Sequence, residues 1–313
     1  MSVAFTFPGQ GSQTVGMGKG LADTFFEAAS VFEAVDEALG QNLSKIIFEG
    51  PIETLTLTEN AQPALMAVSL AAVRVLEARG VRIHEKVAYV AGHSLGEYSA
   101  LAAAGSLSVA DAARLLRTRG RAMQEAVPVG SGAMAALIGM DLDAARAIAA
   151  EAAEGAVCEA ANDNGGGQVV ISGTKAAIER AVEIAKGKGA RRAILLPVSA
   201  PFHCALMAPA AKVMEEALAG VALHAPAVPL VANVVAGPTS DPAEIRKRLV
   251  EQVTGLVRWR ESVTWLGGAG VTLFAEIGAG RVLSGLARRI VEGAETLAVG
   301  TPADIDAAVA KLA

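Results

Sequence analysis

The chain has 313 residues, 52% hydrophobic and 19% charged, with a formal net charge of −5. That apolar content supports a large core and excludes global disorder. The acidic balance excludes general attraction to nucleic acid or anionic lipid, so any anionic ligand must meet a local cluster of basic side chains.

Residues 3–7 read as a short buried strand ending in the turn-rich PGQGSQ. This opening has no basic n-region and no long apolar run, so no secretory signal is expected. Residues 21–39 and 62–79 are helical by period and composition. The second contains the most apolar stretch, PALMAVSLAAVRVL, broken by Ser69 and Arg74 and short of the ~20 residues that span a bilayer. Residues 86–91, KVAYVA, read as a strand, and a helix follows Ser94. Strands alternating with helices predict an α/β fold with a mostly parallel sheet covered on both faces.

The middle of the chain has another rhythm. Residues 133–139 read as a strand and 141–153 as a helix with Asp141 as N-cap. Strands at 157–161 and 168–172 are joined by NDNGGG, a helix capped by Thr174 covers 174–186, and a strand covers 192–198. The order β-α-β-β-α-β is the ferredoxin-like unit. It predicts an inserted subdomain over 127–198, with 1–126 and 199–313 forming one larger domain. Later elements are expected at 228–235, 241–252, 271–277 and 282–290. Two cysteines, Cys158 and Cys204, make neither a disulfide framework nor a metal set, which fits a reducing, cytoplasmic setting.

Residues 92–96, GHSLG, fit the nucleophile elbow G-x-S-x-G. A sharp strand-to-helix turn pushes Ser94 into a strained conformation, and the helix N-terminus aims free N–H groups at an oxyanion beside it. The bland alternative is a Gly-Ser turn. A serine hydroxyl needs a base. His84 sits among charges, His93 diverges from its neighbour Ser94 and is expected to pack, and His224 lies in a loop without a partner. His203, in LLPVSAPFHCALM, follows a buried strand and is the candidate base. Cys204 beside it reads as a small buried hydrophobe. Loops after 3–7, 86–91 and 192–198 are expected to converge at the carboxyl ends of parallel strands. PGQGSQTVG is not a dinucleotide fingerprint, having Thr14 at the third glycine position, and NDNGGGQ is not a P-loop.

On a helical wheel over 110–127, Leu115, Arg119 and Met123 share the apolar face, while Arg114, Arg117, Arg121 and Glu125 fall on the solvated one. A guanidinium aimed inward needs an internal carboxylate, or a carboxylate brought by a substrate.

FPGQGSQ, GHSLGEYSAL, MQEAVP and PFHCALM, in this order and spacing, resemble the malonyl-CoA:acyl carrier protein transacylases, from about residue 4 to about 290. The resemblance implies an α/β-hydrolase-like large domain with a ferredoxin-like insert. It implies that Ser94 is the nucleophile, His203 its base and Gln252 the residue whose carbonyl orients the imidazole, giving a dyad rather than a triad. It implies an oxyanion hole from the backbone N–H groups of Gln10 and Leu95. Arg119 would bind the malonyl carboxylate, Asn162 would lie on the substrate side, and Phe202 would crowd a methyl branch and favour malonyl over methylmalonyl. No cofactor or metal is implied. The partners would be malonyl-CoA and acyl carrier protein, with no nucleic acid or membrane, and the enzyme would be a monomer. Carrier docking would need a basic surface, from Arg114, Arg117 and Arg121, from 186–192, or from Arg288 and Arg289. A serine esterase or thioesterase would share Ser94 and His203 but would want a triad acid and no buried arginine. A free-standing polyketide acyltransferase would share the chemistry with another carrier, and a non-catalytic scaffold would need none of the set.

Overall fold

Val3–Phe7 (β1) is buried at every position, as a strand covered on both faces must be. In the computed structural model, which describes residues 1–312, it is followed by Tyr89–Gly92 (β2), Gly132–Ile138 (β3), Cys158–Gly165 (β4), Gln168–Thr174 (β5) and Arg192–Leu195 (β6). Leu230–Ala232 (β7), Gly237–Thr239 (β8), Leu273–Ile277 (β9) and Glu295–Val299 (β10) complete the strands. One sheet has the order β10-β9-β1-β2-β7-β8, parallel except for β8. A second, antiparallel sheet has the order β4-β5-β3-β6. With the helices Leu142–Ala153 and Lys175–Gly187 on it, this is the expected split unit.

Each sheet buries its own apolar set. Phe5, Phe7, Leu65, Leu101 and Ile277 belong to the main core, and Trp259, Phe274 and Val231 to the opposite face. Leu137, Ile148, Ile171 and Ile178 form a separate core under the small sheet.

Several elements differ from expectation for local reasons. The helix expected over 21–39 is two, Lys19–Thr24 and Phe26–Leu39, broken by an extended Phe25. The strand expected from 86 starts at Tyr89, because Ile83–Lys86 winds a helical turn. The apolar helix runs Thr58–Ala78, with Pro63 inside it, and is long enough to cross a membrane by length and composition. Most of that span is instead buried against Phe26–Leu39, Gly96–Ala103 and Val109–Glu125. Asp141 caps its helix through Ala144 N–H at 2.8 Å, whereas Thr174 precedes Lys175–Gly187 without a side-chain cap. The last strand of the small sheet stops at Leu195, since Pro197 has no N–H to continue the ladder. The element expected at 228–235 is a strand only over Leu230–Ala232 before the chain turns back as β8. Helices Leu43–Glu49, Ala208–Ala219, Trp259–Gly268 and Pro302–Leu312 gave no clear signal in the sequence.

NDNGGG is not all turn. Asn162, Asp163 and Asn164 belong to β4, with register shifts between Ala160 and Asn162 and between Asp163 and Gly165. Bulges re-aim side chains. Here the strand also bridges to Val257, joining the small sheet to the main body.

The turn after β2 is the tightest point of the fold. A Cβ on Gly92 would sit 1.9 Å from the carbonyl carbon of Gly96, and one on Gly96 would sit 2.3 Å from the carbonyl oxygen of Phe7. Both neighbours are backbone and cannot swing aside. Gly96→Ala is therefore expected to destabilise the protein by about 1–3 kcal/mol, read by chemical denaturation, and to displace Ser94.

Candidate active site

Ser94 leaves β2 in the left-handed region, at φ 53°. Non-glycine residues there are strained, and surrounding bonds must hold them. Its N–H donates to Asn233 Oδ1 at 2.8 Å, and its carbonyl accepts from Gln252 Nε2 at 2.9 Å and from Glu97 N–H at 3.0 Å. Asn233 is itself tied to the carbonyl of Gly92 at 2.8 Å.

Ser94 Oγ lies 2.7 Å from His203 Nε2. His203 is also at positive φ, 58°, and is 3% exposed. Its Nδ1 lies 2.8 Å from the main-chain carbonyl of Gln252. A carbonyl only accepts, so Nδ1 carries the proton and Nε2 presents its lone pair to the hydroxyl. No carboxylate takes the Nδ1 position among the described residues. Burial, and then the charge of Arg119, push the imidazole pKa down to about 3, against the pull of the Gln252 carbonyl.

Arg119 enters from the Val109–Glu125 helix and is 1% exposed. It donates to Gln62 Oε1 at 2.8 Å, Gln252 Oε1 at 2.8 Å and Ser94 Oγ at 3.0 Å. Its carbon lies 5.8 Å from the ring centroid of Tyr98. Every acceptor is neutral: no carboxylate pairs with it among the described residues, and its Nε–H has no partner there. Burial lowers its pKa, opposed by Tyr98 and Glu97, yet a guanidinium remains a cation. The internal carboxylate weighed as its partner is not in contact with it. Glu97 is the nearest in the bonding network, one amide removed through Gln252. Burial pushes the Glu97 carboxyl up to about 8, opposed by the Asn233 and Gln252 donors and by Arg119.

Ser94, His203 and Arg119 open on a cavity of about 470 Å³. Gln10 and Leu95 line it too, and no protein acceptor takes the backbone N–H of either among the described residues. Asn162, Met134 and Leu196 form the wall on the small-sheet side, with Phe202 at 8% exposure beside His203. Gln252 stands behind the cavity, fully buried. Among the described residues no cluster of His, Cys, Asp and Glu is arranged to hold a metal ion.

Some expectations need correction. The His203 loop does not leave a parallel strand, because β6 belongs to the small antiparallel sheet. It is the return segment from that sheet, yet it still meets the loops after β1 and β2 at the cavity. Arg117 is not a solvated charge. It is 9% exposed, donates to Gln41 Oε1 at 2.5 Å and lies 4.0 Å from Glu59. His93 does pack, against Trp259, but its Nε2 also meets Asn164 Oδ1 at 2.9 Å and the ring lines the cavity. His84 and His224 are exposed, and Cys204 is buried. Sequence reasoning missed Glu97, Asn233 and Gln62. The signal for Glu97 was present: it is the only charge in GEYSALAA, a helix too small and apolar to have a solvated face.

Residues 4–298 match the family described as acyl transferase domain. The chain belongs to that family. This acyl transferase is 47% identical over 311 residues to the malonyl CoA-acyl carrier protein transacylase of Bacillus subtilis strain 168, across 99% of this chain and 97% of that one. Its fold matches the acyl-carrier-protein-S-malonyltransferase of Bartonella henselae at a TM-score of 0.98 and 60% identity, covering 100% of this chain and 99% of that one. A malonyl-transacylase in complex with its type II PKS acyl-carrier protein matches at a TM-score of 0.96 and 42% identity, covering 99% and 100%.

A base already neutral near pH 7 has a consequence. Acylation of Ser94 by an uncharged serine reagent should keep its rate from pH 7 to pH 5. An ordinary imidazole, at about 6.5, would slow it roughly 25-fold over that interval. Stopped-time labelling across that range checks the expectation.

Proposed function

We infer that this acyl transferase moves a malonyl group from coenzyme A to the phosphopantetheine thiol of acyl carrier protein, through a malonyl ester on Ser94. The observation that carries this reading is the buried guanidinium 3.0 Å from the Ser94 hydroxyl with only neutral partners. Such a cation calls for an acyl group that brings its own carboxylate. The activities of its relatives agree.

The thioester carbonyl sits over Ser94 with the distal carboxylate on Arg119. His203 Nε2 takes the hydroxyl proton as Oγ attacks. The oxyanion is met by the Gln10 and Leu95 N–H groups, each such donor contributing about 100- to 1,000-fold in rate. The imidazolium proton goes to the departing thiolate, leaving malonyl-Ser94. The carrier's thiol then gives its proton to His203, attacks the ester and restores the hydroxyl. Gln252 orients the base through its carbonyl, and no cofactor is needed to balance either half. Asn162 contacts the acyl-thioester from the opposite wall. Phe202 leaves little room for an α-methyl branch, favouring malonyl over methylmalonyl. The large domain, 1–126 with 199–313, carries the dyad, and the insert, 127–198, closes one side of the cavity. We read the enzyme as a cytoplasmic monomer.

Of the basic clusters, Arg114 pairs with Asp111 at 2.8 Å, Arg121 with Glu59 at 2.7 Å and Lys186 with Glu183 at 2.7 Å. Arg191 and Arg192 are exposed without an ion pair among the described residues, and so are Arg288 and Arg289. Their helix, Val282–Ile290, also lines a second cavity with Gln10, His93 and Asn162, next to the site. This supports carrier approach along that helix. Reversing both charges to Glu should raise KM for the acidic carrier about tenfold at low salt, the effect shrinking as salt screens it.

Intact-protein mass spectrometry after mixing with malonyl-CoA or acetyl-CoA tests the reading. Wild type should carry one malonyl adduct and Ser94→Ala none; a labelled Ser94→Ala protein overturns the assignment. Arg119→Ala should slow malonylation by about 100-fold or more and acetylation far less, since removing one partner of a buried ion pair costs roughly 3–5 kcal/mol. Equal losses would make Arg119 structural.

A further inference from the structure

Glu97 is the only acidic side chain of the buried Gly96–Ala103 helix, and the reaction written above leaves it without a task. Its Oε1 accepts the main-chain N–H of Asn233 at 2.5 Å, and its Oε2 accepts Gln252 Nε2. Both partners hold the nucleophile. Asn233 Oδ1 takes the Ser94 N–H, and Gln252 Nε2 reaches the Ser94 carbonyl. Gln252 also offers Oε1 to Arg119 and its main-chain carbonyl to His203.

Resting on the malonyl reading, we propose that Glu97 is a positioning residue for malonyl selectivity: a carboxylate set one amide away from Arg119, fixing the Gln252 side chain so that the cation is held but not capped. The argument is one of donors and acceptors. The row runs Asn233 N–H, residue 97, the Gln252 amide, Arg119. Both ends can only donate. An amide has one accepting and one donating side, so the row closes only if one inner member accepts on both sides. Ionised above about pH 8, Glu97 is that member. It turns Gln252 so that Oε1 faces Arg119 and Nε2 faces both Glu97 and the Ser94 carbonyl. A carboxylate touching Arg119 directly would occupy the guanidinium edge that a substrate carboxylate needs. Placed beyond a polarised amide, it supplies counter-charge and leaves that edge available.

Glu97→Gln keeps the shape but breaks the row, because two donors must meet somewhere. At pH 8.5, wild type, Glu97→Gln and Glu97→Gln/Gln252→Glu are compared for malonyl and acetyl transfer and for thermal stability. Glu97→Gln should stay folded, lose about 30-fold in malonyl transfer and lose about tenfold in the malonyl-to-acetyl ratio. The double variant closes the row again but puts its carboxylate on Arg119. It should regain part of the thermal stability, since the Ser94 carbonyl has lost its Gln252 donor, while its malonyl-to-acetyl ratio stays as low or falls further. A folded Glu97→Gln protein with the ratio within about twofold of wild type overturns the proposal, since a purely structural glutamate would slow both acyl groups alike. So does a double variant with the wild-type ratio, and this arm decides the matter if the single variant does not fold. Wild type lacking malonyl preference would instead sink the functional reading itself.

Discussion

A guanidinium withdrawn from water and given only amide and hydroxyl oxygens is the constraint on which the site turns. Burying a charge is costly unless it is paired. Arg119 meets Gln62, Gln252, Ser94 and the face of Tyr98, and none of these neutralises it. The same charge shapes its surroundings: after burial, it is the next force holding the His203 imidazole unprotonated. One side chain thereby helps keep the base free and marks where a negative acyl tail would go.

That arrangement depends on a backbone under strain. Ser94 and His203 both sit at positive φ, and they come from segments far apart in the chain. The elbow is possible because two glycines let the backbone pass over itself, and it is fastened by Asn233 and Gln252 from the second half of the chain. Gln252 is the common member, with its side chain on the nucleophile and its carbonyl on the base. Local strain of this kind persists only where the surroundings over-determine it.

Much of this was legible in the sequence. The alternation of strand and helix gave the α/β class, and the β-α-β-β-α-β rhythm gave the small sheet. The four-residue spacing of Leu115, Arg119 and Met123 gave the inward arginine. What escaped reading was whatever depends on partners distant in sequence. Arg117 looked solvated on the wheel because nothing local reveals Gln41 and Glu59 beside it. NDNGGG read as a mere connection between two strands because the bridge from Asn162 to Val257 is a tertiary event. Asn233 carried no signal in the turn after a three-residue strand, and Gln252 read as an ordinary helix-end amide until the resemblance gave its carbonyl a role.

The small sheet keeps a hydrophobic core of its own while lending Met134 and Asn162 to the cavity wall. The bend that carries the serine and this wall of the acyl cavity therefore stand on different sheets. Reshaping that wall need not disturb the bend that carries the serine, so one chemical engine can be refitted with new selectivities over evolutionary time without being rebuilt.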